Sequence, residues 1–169
     1  MANIGIFYGS TTGNTQGVAE KIQAAFGKEN ADLYSISDVS NDILNNYQYL
    51  LLGSSTWGIG DLQDDWLDGV KKLDKVNLSE KKVALFGTGD PQSYPDSFVD
   101  AIGILYEKLA GQGAEVVGFW PTDGYEYDVS RAEKDGRFVG LVIDEDNQSD
   151  LTEERINTWI EDLKTVMQS

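Results

Sequence analysis

The chain has 169 residues, which bounds it to a single domain, residues 1–169, with enough length to bury a substantial core. It carries 13 Lys and Arg against 29 Asp and Glu, a formal net charge of −16, and it contains neither Cys nor His. That charge argues against nucleic acid and anionic membrane as partners. The missing residue types exclude disulfides, thiolate or imidazole metal sites, cysteine nucleophiles and Ser-His-Asp triads. Composition is that of a globular chain, 40% hydrophobic and 11% aromatic. The opening residues lack a basic-then-apolar leader pattern and no apolar run approaches a membrane span, so a cytoplasmic, soluble protein is expected.

Taken in order, Ile4–Tyr8 reads as a strand that runs into Gly9-Ser10-Thr11-Thr12-Gly13. A helix is predicted from Thr15 to Phe26, with Val18, Ile22 and Phe26 on one face and Gly27 closing it. Asp32–Ile36 is a second strand, and Tyr47–Leu52 a third that ends at Gly53-Ser54-Ser55-Thr56. A helix follows over Asp64–Lys72. Lys82–Phe86 is a fourth strand, ending in the turn Gly87-Thr88-Gly89-Asp90. Phe98–Ala110 reads as a helix with Ile102, Leu105 and Leu109 as its stripe, stopped by Gly111 and Gly113. Two last strand-like runs, Glu115–Trp120 and Phe138–Ile143, enclose a polar and aromatic stretch from Pro121 to Arg137 that is long for a connection. The final helix is expected to open at Ser149 or Asp150, with Glu153 and Glu154 in its first turn and Ile156, Trp159, Ile160 and Leu163 inside. Apolar strands alternating with amphipathic helices predict an α/β fold, a parallel sheet covered on both faces. Ligands of such sheets sit beyond the carboxyl ends of the strands, where strand order reverses.

Three segments stand at those ends. Ser10-Thr11-Thr12-Gly13-Asn14-Thr15 lies between a strand and a helix start, where free amides and the helix dipole favour an anion. It lacks the G-x-x-x-x-G-K-[ST] pattern of a nucleoside-triphosphate loop and has no Lys or Arg, so it suits one terminal phosphate monoester held by neutral donors; the plain alternative is an ordinary capped helix. In Ser54-Ser55-Thr56-Trp57-Gly58-Ile59-Gly60-Asp61 the two glycines let backbone approach a flat ligand stacked on Trp57; a core tryptophan is the alternative. Gly87-Thr88-Gly89-Asp90-Pro91-Gln92-Ser93-Tyr94 carries an aromatic on a turn, either a ligand contact or a surface tyrosine. Together they describe a site for a planar ring with a phosphate tail.

On these residues the chain resembles the flavodoxins of the long-chain type. Ser10-x-Thr12-Gly13-x-Thr15 is similar to the family's phosphate loop, Thr56-Trp57 stands at its first stacking aromatic, and Gly87-x-Gly89-Asp90…Tyr94 matches its second loop. The stretch between the halves of the last strand resembles the insertion of the long-chain members. The resemblance implies a flavodoxin-like three-layer sandwich, a five-stranded parallel sheet of order 2-1-3-4-5 with an insertion in the last strand, and one noncovalent FMN. It also implies a one-electron carrier, not an enzyme; the lack of nearby Lys or Arg and the charge of −16 predict that its potential is low. It places Ser10, Thr11, Thr12, Gly13, Asn14 and Thr15 on the phosphate, Thr56 and Asp146 by the ribityl chain, and Trp57 and Tyr94 on opposite faces of the ring. Gly58, Ile59, Gly60, Thr88, Gly89 and Asp90 belong to the loops at its polar edge. Many long-chain members have Asn after the Trp; Gly58 lowers the steric cost of flipping the 58–59 peptide, so a readily held half-reduced flavin is expected.

Implied partners are basic redox proteins: a flavodoxin/ferredoxin–NADP reductase type or photosystem-type donor on one side, terminal acceptor enzymes on the other, with the chain itself a monomer. Asp61, Asp64, Asp65, Asp68, Asp123, Glu126, Asp128 and the acids of 144–150 form the field that would steer them. Trp66, Trp120 and Trp159 are read as core or interface packing and Tyr106, in a helical stripe, as core; Tyr125 and Tyr127 either pin the insertion or belong to a docking surface. The rival on the same fold is an FMN-dependent quinone or NAD(P)H oxidoreductase, disfavoured because two stacking aromatics would cover the ring. A receiver domain would need acids where Tyr8-Gly9 and Gly53-Ser54 stand, and a dinucleotide-binding domain would need G-x-G-x-x-G, which does not occur.

Overall fold

The computed structural model describes residues 4–9, 14–57, 61–62, 64–79, 81–89, 98–128, 130–145 and 147–167. Its strands are β1 (Ile4–Gly9), β2 (Ala31–Ser35), β3 (Tyr49–Trp57), β4 (Asp61–Leu62), β5 (Lys82–Thr88), β6 (Glu115–Val117), β7 (Trp120–Pro121), β8 (Glu133–Lys134), β9 (Arg137–Phe138) and β10 (Leu141–Ile143). Its helices are α1 (Asn14–Phe26), α2 (Asn41–Asn45), α3 (Asp64–Leu73), α4 (Asp100–Gly111) and α5 (Thr152–Met167).

The central sheet runs β10-β5-β3-β1-β2, all parallel, with two-residue β4 appended antiparallel to β3. β6 lies beside β5 at Lys82–Ala84 and β10 beside the same strand at Phe86–Thr88. The two are halves of one interrupted strand, so the sheet has five parallel positions in the order 2-1-3-4-5, as the resemblance implies. A right-handed crossover from β1 to β2 runs opposite to those from β3 to β5 and from β5 to β6. Consequently α1 lies on one face, where α5 packs against it, and α3 and α4 lie on the other. Alternation along β5 shows both layers: the Phe86 ring meets Trp159 of α5 at 6.4 Å between centroids, while a side chain on Gly87 would run into Ile102 of α4. The predicted stripes are all buried: Val18, Ile22 and Phe26; Ile102, Leu105 and Leu109; Ile156, Trp159, Ile160 and Leu163.

Several boundaries differ from expectation. Gly53–Thr56 and Gly87-Thr88 are not turns: β3 and β5 continue through them, because each has a parallel neighbour to bond, Gly9 beside Ser54 and Ile143 beside Thr88. Phe98 and Val99 precede α4 rather than open it, with Val99 in the left-handed region at φ 48°. A β-branched residue there is strained by about 1–3 kcal/mol. Glu115–Trp120 is broken at Gly118, whose φ of +79° turns the chain out of the sheet; Trp159 Nε1 donates to its carbonyl at 2.7 Å. Phe138–Ile143 is likewise two pieces, β9 and β10. The last helix begins with a 3₁₀ turn over Ser149–Leu151 and becomes α-helical at Thr152, so neither Ser149 nor Asp150 is its cap.

The insertion is an ordered subdomain. Its antiparallel sheet β7-β9-β8 was not visible in the sequence. Backbone of Arg131 passes so close to α4 that a Cβ on Gly103 would lie 2.5 Å from the Arg131 carbonyl; only glycine permits this approach. The Arg131 amide donates to Asp100 Oδ1 at 2.7 Å, and the Ser130 hydroxyl donates to the Phe98 carbonyl. Asp100 is buried, and that burial raises its carboxyl pKa against the pull of Arg131. Phe98, Tyr125, Tyr127 and Phe138 pack ring to ring at centroid distances of 5.4–5.9 Å. The Tyr125 hydroxyl donates to the Val142 carbonyl at 2.5 Å and accepts from Trp120 Nε1 at 3.0 Å. Arg155 of α5 covers its ring at 4.2 Å. Trp66 and Trp159 are core, as expected, and Trp120 is nearly so. Tyr106 is only half-buried, its ring edge-on to Phe119 at 6.0 Å, a correction to its reading as core.

Candidate functional site

The site is assembled at the carboxyl edge, where β1 is flanked by β2 on one side and β3 on the other and strand order reverses. β1 stops at Gly9 and α1 starts at Asn14, so four residues span from strand to helix N-terminus. The first turn of α1, Asn14-Thr15-Gln16-Gly17, carries no acidic residue. Its free amides and dipole therefore face the edge without a competing negative charge. Thr15, in that turn, is fully buried, and its hydroxyl shares a hydrogen bond of 2.9 Å with the hydroxyl of Thr88 at the end of β5. This contact crosses the β3 position and ties the start of α1 to the strand two places away.

Ser55 stands opposite Thr88 in the β3–β5 register, on the same face of the sheet. Its Oγ is buried and has no hydrogen-bond partner. A buried, unpaired hydroxyl carries a cost of about 1–3 kcal/mol, which a ligand at this edge can relieve. Sequence reasoning passed over Ser55 as a turn residue; the signal available was its place two residues before Trp57. Gly89 donates its amide to the Ile143 carbonyl at 3.2 Å, joining the exit of β5 to the end of β10. Beyond Ile143, buried Asp144 accepts from the Asn147 amide at 2.9 Å and from Asn147 Nδ2 at 3.1 and 3.2 Å. That pairing holds Asn147 to the residue that follows β10. It also removes Asp144 from the surface acids among which the sequence placed it.

Of the expected site residues, the structure brings Thr15, Thr88 and Gly89 together with the backbone of Asn14, Thr56 and Trp57. Thr56 and Trp57 pair with Leu62 and Asp61 in the short antiparallel ladder, which folds the chain back after β3. Ser10, Thr11, Thr12, Gly13, Gly58, Ile59, Gly60, Asp90, Tyr94 and Asp146 lie outside the described residues, as do the side chains of Asp61, Asp64, Asp65 and Asp68. The insertion borders this edge twice. Phe98, the first residue after the 90–97 segment, is locked in its aromatic cluster, and Tyr125 holds Val142 just before the 144–147 turn. Asp123, Glu126 and Asp128 on the insertion, and Asp150, Glu153 and Glu154 near the start of α5, are exposed.

The family model for flavodoxins matches residues 6–159. The chain belongs to the flavodoxin family. It is 48% identical to the flavodoxin of Synechocystis sp. (strain ATCC 27184 / PCC 6803 / Kazusa) over 170 residues, covering 100% of both chains. It is 51% identical to that of Nostoc sp. (strain PCC 7120 / SAG 25.82 / UTEX 2576) over 162 residues, with 96% of this chain and 95% of the other covered. Among solved structures it is similar to the Fusobacterium nucleatum flavodoxin bound to flavin mononucleotide, with a TM-score of 0.91 and 34% identity over 98% of each chain. Flavodoxins are electron-transfer proteins that serve redox partner proteins, which removes the oxidoreductase alternative. Among the described residues, no helix is long and apolar enough to cross a membrane.

Proposed function

We propose that this chain binds one FMN noncovalently at the carboxyl edge of its sheet and passes single electrons between protein partners, as one domain over residues 1–169. The carrying observation is the neutral, acid-free start of α1 at the switch point, with Thr15 fixed to Thr88 and the Ser55 hydroxyl buried without a partner beside them. A donor set of amides and hydroxyls fits a phosphate monoester, and the orphaned hydroxyl fits a polyol chain laid along the edge. Residues 10–15 are assigned to the phosphate, Thr56 and Asp146 to the ribityl chain, Trp57 and Tyr94 to the two ring faces, and the backbone of 58–60 and 88–90 to the polar edge. Bound FMN supplies the one-electron chemistry.

The protein's own part is binding, orientation and electrostatics. Stacking aromatics shut water and substrates away from the ring, which suits a carrier. No Lys or Arg occurs between residues 4 and 20, and the whole chain carries −16, so adding negative charge at this site is disfavoured and the potential is held low. The exposed acids of the insertion and of the start of α5 steer basic partners, of the reductase or terminal-acceptor kind, toward the same edge. A monomer acting in the cytoplasm completes the reading. Stepwise reduction of the purified protein under a visible spectrophotometer tests it. Flavin bands that pass through a long-wavelength species at half reduction are expected; a protein that neither carries nor takes up FMN refutes it.

A further inference from the structure

The bond between Thr15 and Thr88 has two possible directions, and an anion selects one of them. Each hydroxyl has a single proton and the pair is 2.9 Å apart in a buried setting, so either can donate. A phosphate oxygen only accepts. Once Thr15 gives its proton to a phosphate, its oxygen must be the acceptor in the other bond, and the Thr88 hydroxyl becomes the donor. Ser55 does not compete for that proton, since its Oγ makes no hydrogen bond although it stands opposite Thr88 in register.

We propose that Thr88 is a positioning residue of the phosphate site: its hydroxyl, from β5, donates to Thr15 Oγ1 and so turns the one Thr15 proton toward the FMN phosphate. The assignment rests on the FMN reading above. It gives the Thr88 side chain a role through Thr15, separate from the backbone contact assigned to 88–90 and left intact by the substitutions below. A relay of two hydroxyls polarises each member, so the last donor is stronger than a lone hydroxyl. The gain matters here because the loop and the first turn of α1 offer the dianion no Lys or Arg. The bond also makes the phosphate site sensitive to a strand two positions away in the sheet, which a self-contained strand-loop-helix cradle would not be.

FMN and riboflavin differ only in the phosphate, so their affinities separate this role from a general one. Both are titrated into the full-length, flavin-free chain by quenching of flavin fluorescence. Thr88→Val keeps the shape and loses the hydroxyl. It is expected to weaken FMN about tenfold or more while riboflavin changes less than about twofold. Thr88→Ser, which keeps the donor, is expected to retain the wild-type preference for FMN over riboflavin. Should Thr88→Val not fold, Thr88→Ala against Thr88→Ser reads the same ratio. An unchanged FMN-to-riboflavin ratio in the hydroxyl-free variants, or an equal loss for both ligands, overturns the proposal. A wild-type chain that binds FMN no better than riboflavin refutes the phosphate site itself, and this role with it.

Discussion

Tyr125 ties the insertion to the last sheet strand through one oxygen, and its removal has a calculable cost. The Tyr125→Phe variant keeps the ring, its contacts with Phe98 and Phe138, and the Arg155 guanidinium above it. It loses the 2.5 Å bond to the Val142 carbonyl and the 3.0 Å bond from Trp120 Nε1. Val142 is 0% and Trp120 8% exposed, so neither group recovers a water in exchange. Two buried groups left unsatisfied cost about 2–4 kcal/mol together, less a few tenths for the better transfer of phenylalanine. For a chain of this size each kcal/mol moves Tm by about 2–4 °C, which puts the drop at about 4–15 °C. Thermal unfolding followed by near-UV circular dichroism measures it, and limited proteolysis locates it, with the first new cuts expected between residues 121 and 137. A Tm within about 1 °C of wild type, with no new cuts there, would refute the view that this hydroxyl carries the attachment.

Stability should also fall at high pH. Burial, helped by nearby Asp144, pushes the Tyr125 phenol from 10.0 up to about 12 despite the opposing pull of Arg155 and Trp120; burial first, then Asp32 and Glu133 respectively, push Tyr47 and Tyr127 up as well. A folded pKa above the unfolded value means stability is fully present below pH 10 and is lost as pH rises through 12, so urea midpoints should be level near pH 9 and lower near pH 11; level midpoints at both would contradict the burial of these phenols. Gly103→Ala places a methyl against the Arg131 carbonyl and should cost about 1–3 kcal/mol by chemical denaturation, whereas Gly111→Ala, with open space around it, should cost nothing or stabilise slightly. Electron transfer to a basic partner should slow steeply as salt is raised through about 0.1 M, where the Debye length is about 10 Å; a rate indifferent to salt removes the steering role of the exposed acids.

The layers and strand order were legible because apolar strands and 3.6-residue stripes dominate this sequence; Val18, Ile22 and Phe26 of α1 and Ile156, Trp159, Ile160 and Leu163 of α5 are inside as their spacing requires. Boundaries were less so. Glycines and serines at 53–55 look like a turn in one dimension, but parallel neighbours supply ladder bonds through Ser54 on one side and Ser55 on the other, and antiparallel β4 takes over at Thr56 and Trp57, so β3 stays extended. The small sheet of the insertion was hidden because its strands are two residues each, below any usable periodicity, and are held by Gly103 and the aromatic cluster rather than by local preference. Ser55 escaped notice for a related reason. Its importance lies in facing Thr88 across the register and in having no partner, and neither fact exists in a single strand.

The distribution of charge explains how an acidic protein can host an anion. Among the acids whose side chains are described, Asp100 and Asp144 are the buried ones, and each is answered by a backbone amide, from Arg131 and Asn147. Neither sits in the first turn of α1, where Asn14, Thr15 and Gln16 stand instead. The exposed acids of the insertion and of the start of α5 are in water, where their field is screened over roughly a Debye length, while the amides and hydroxyls at the edge act at hydrogen-bonding distance in a drier setting. On the proposed function, short-range dipoles hold the phosphate while the longer-range field opposes extra charge on the ring and attracts a basic partner. Asn14→Lys tests whether the charge of the site governs both: it should tighten phosphate and raise the potential of the bound flavin together. A gain in affinity with no change in potential would refute the proposal that the charge of the site sets the potential.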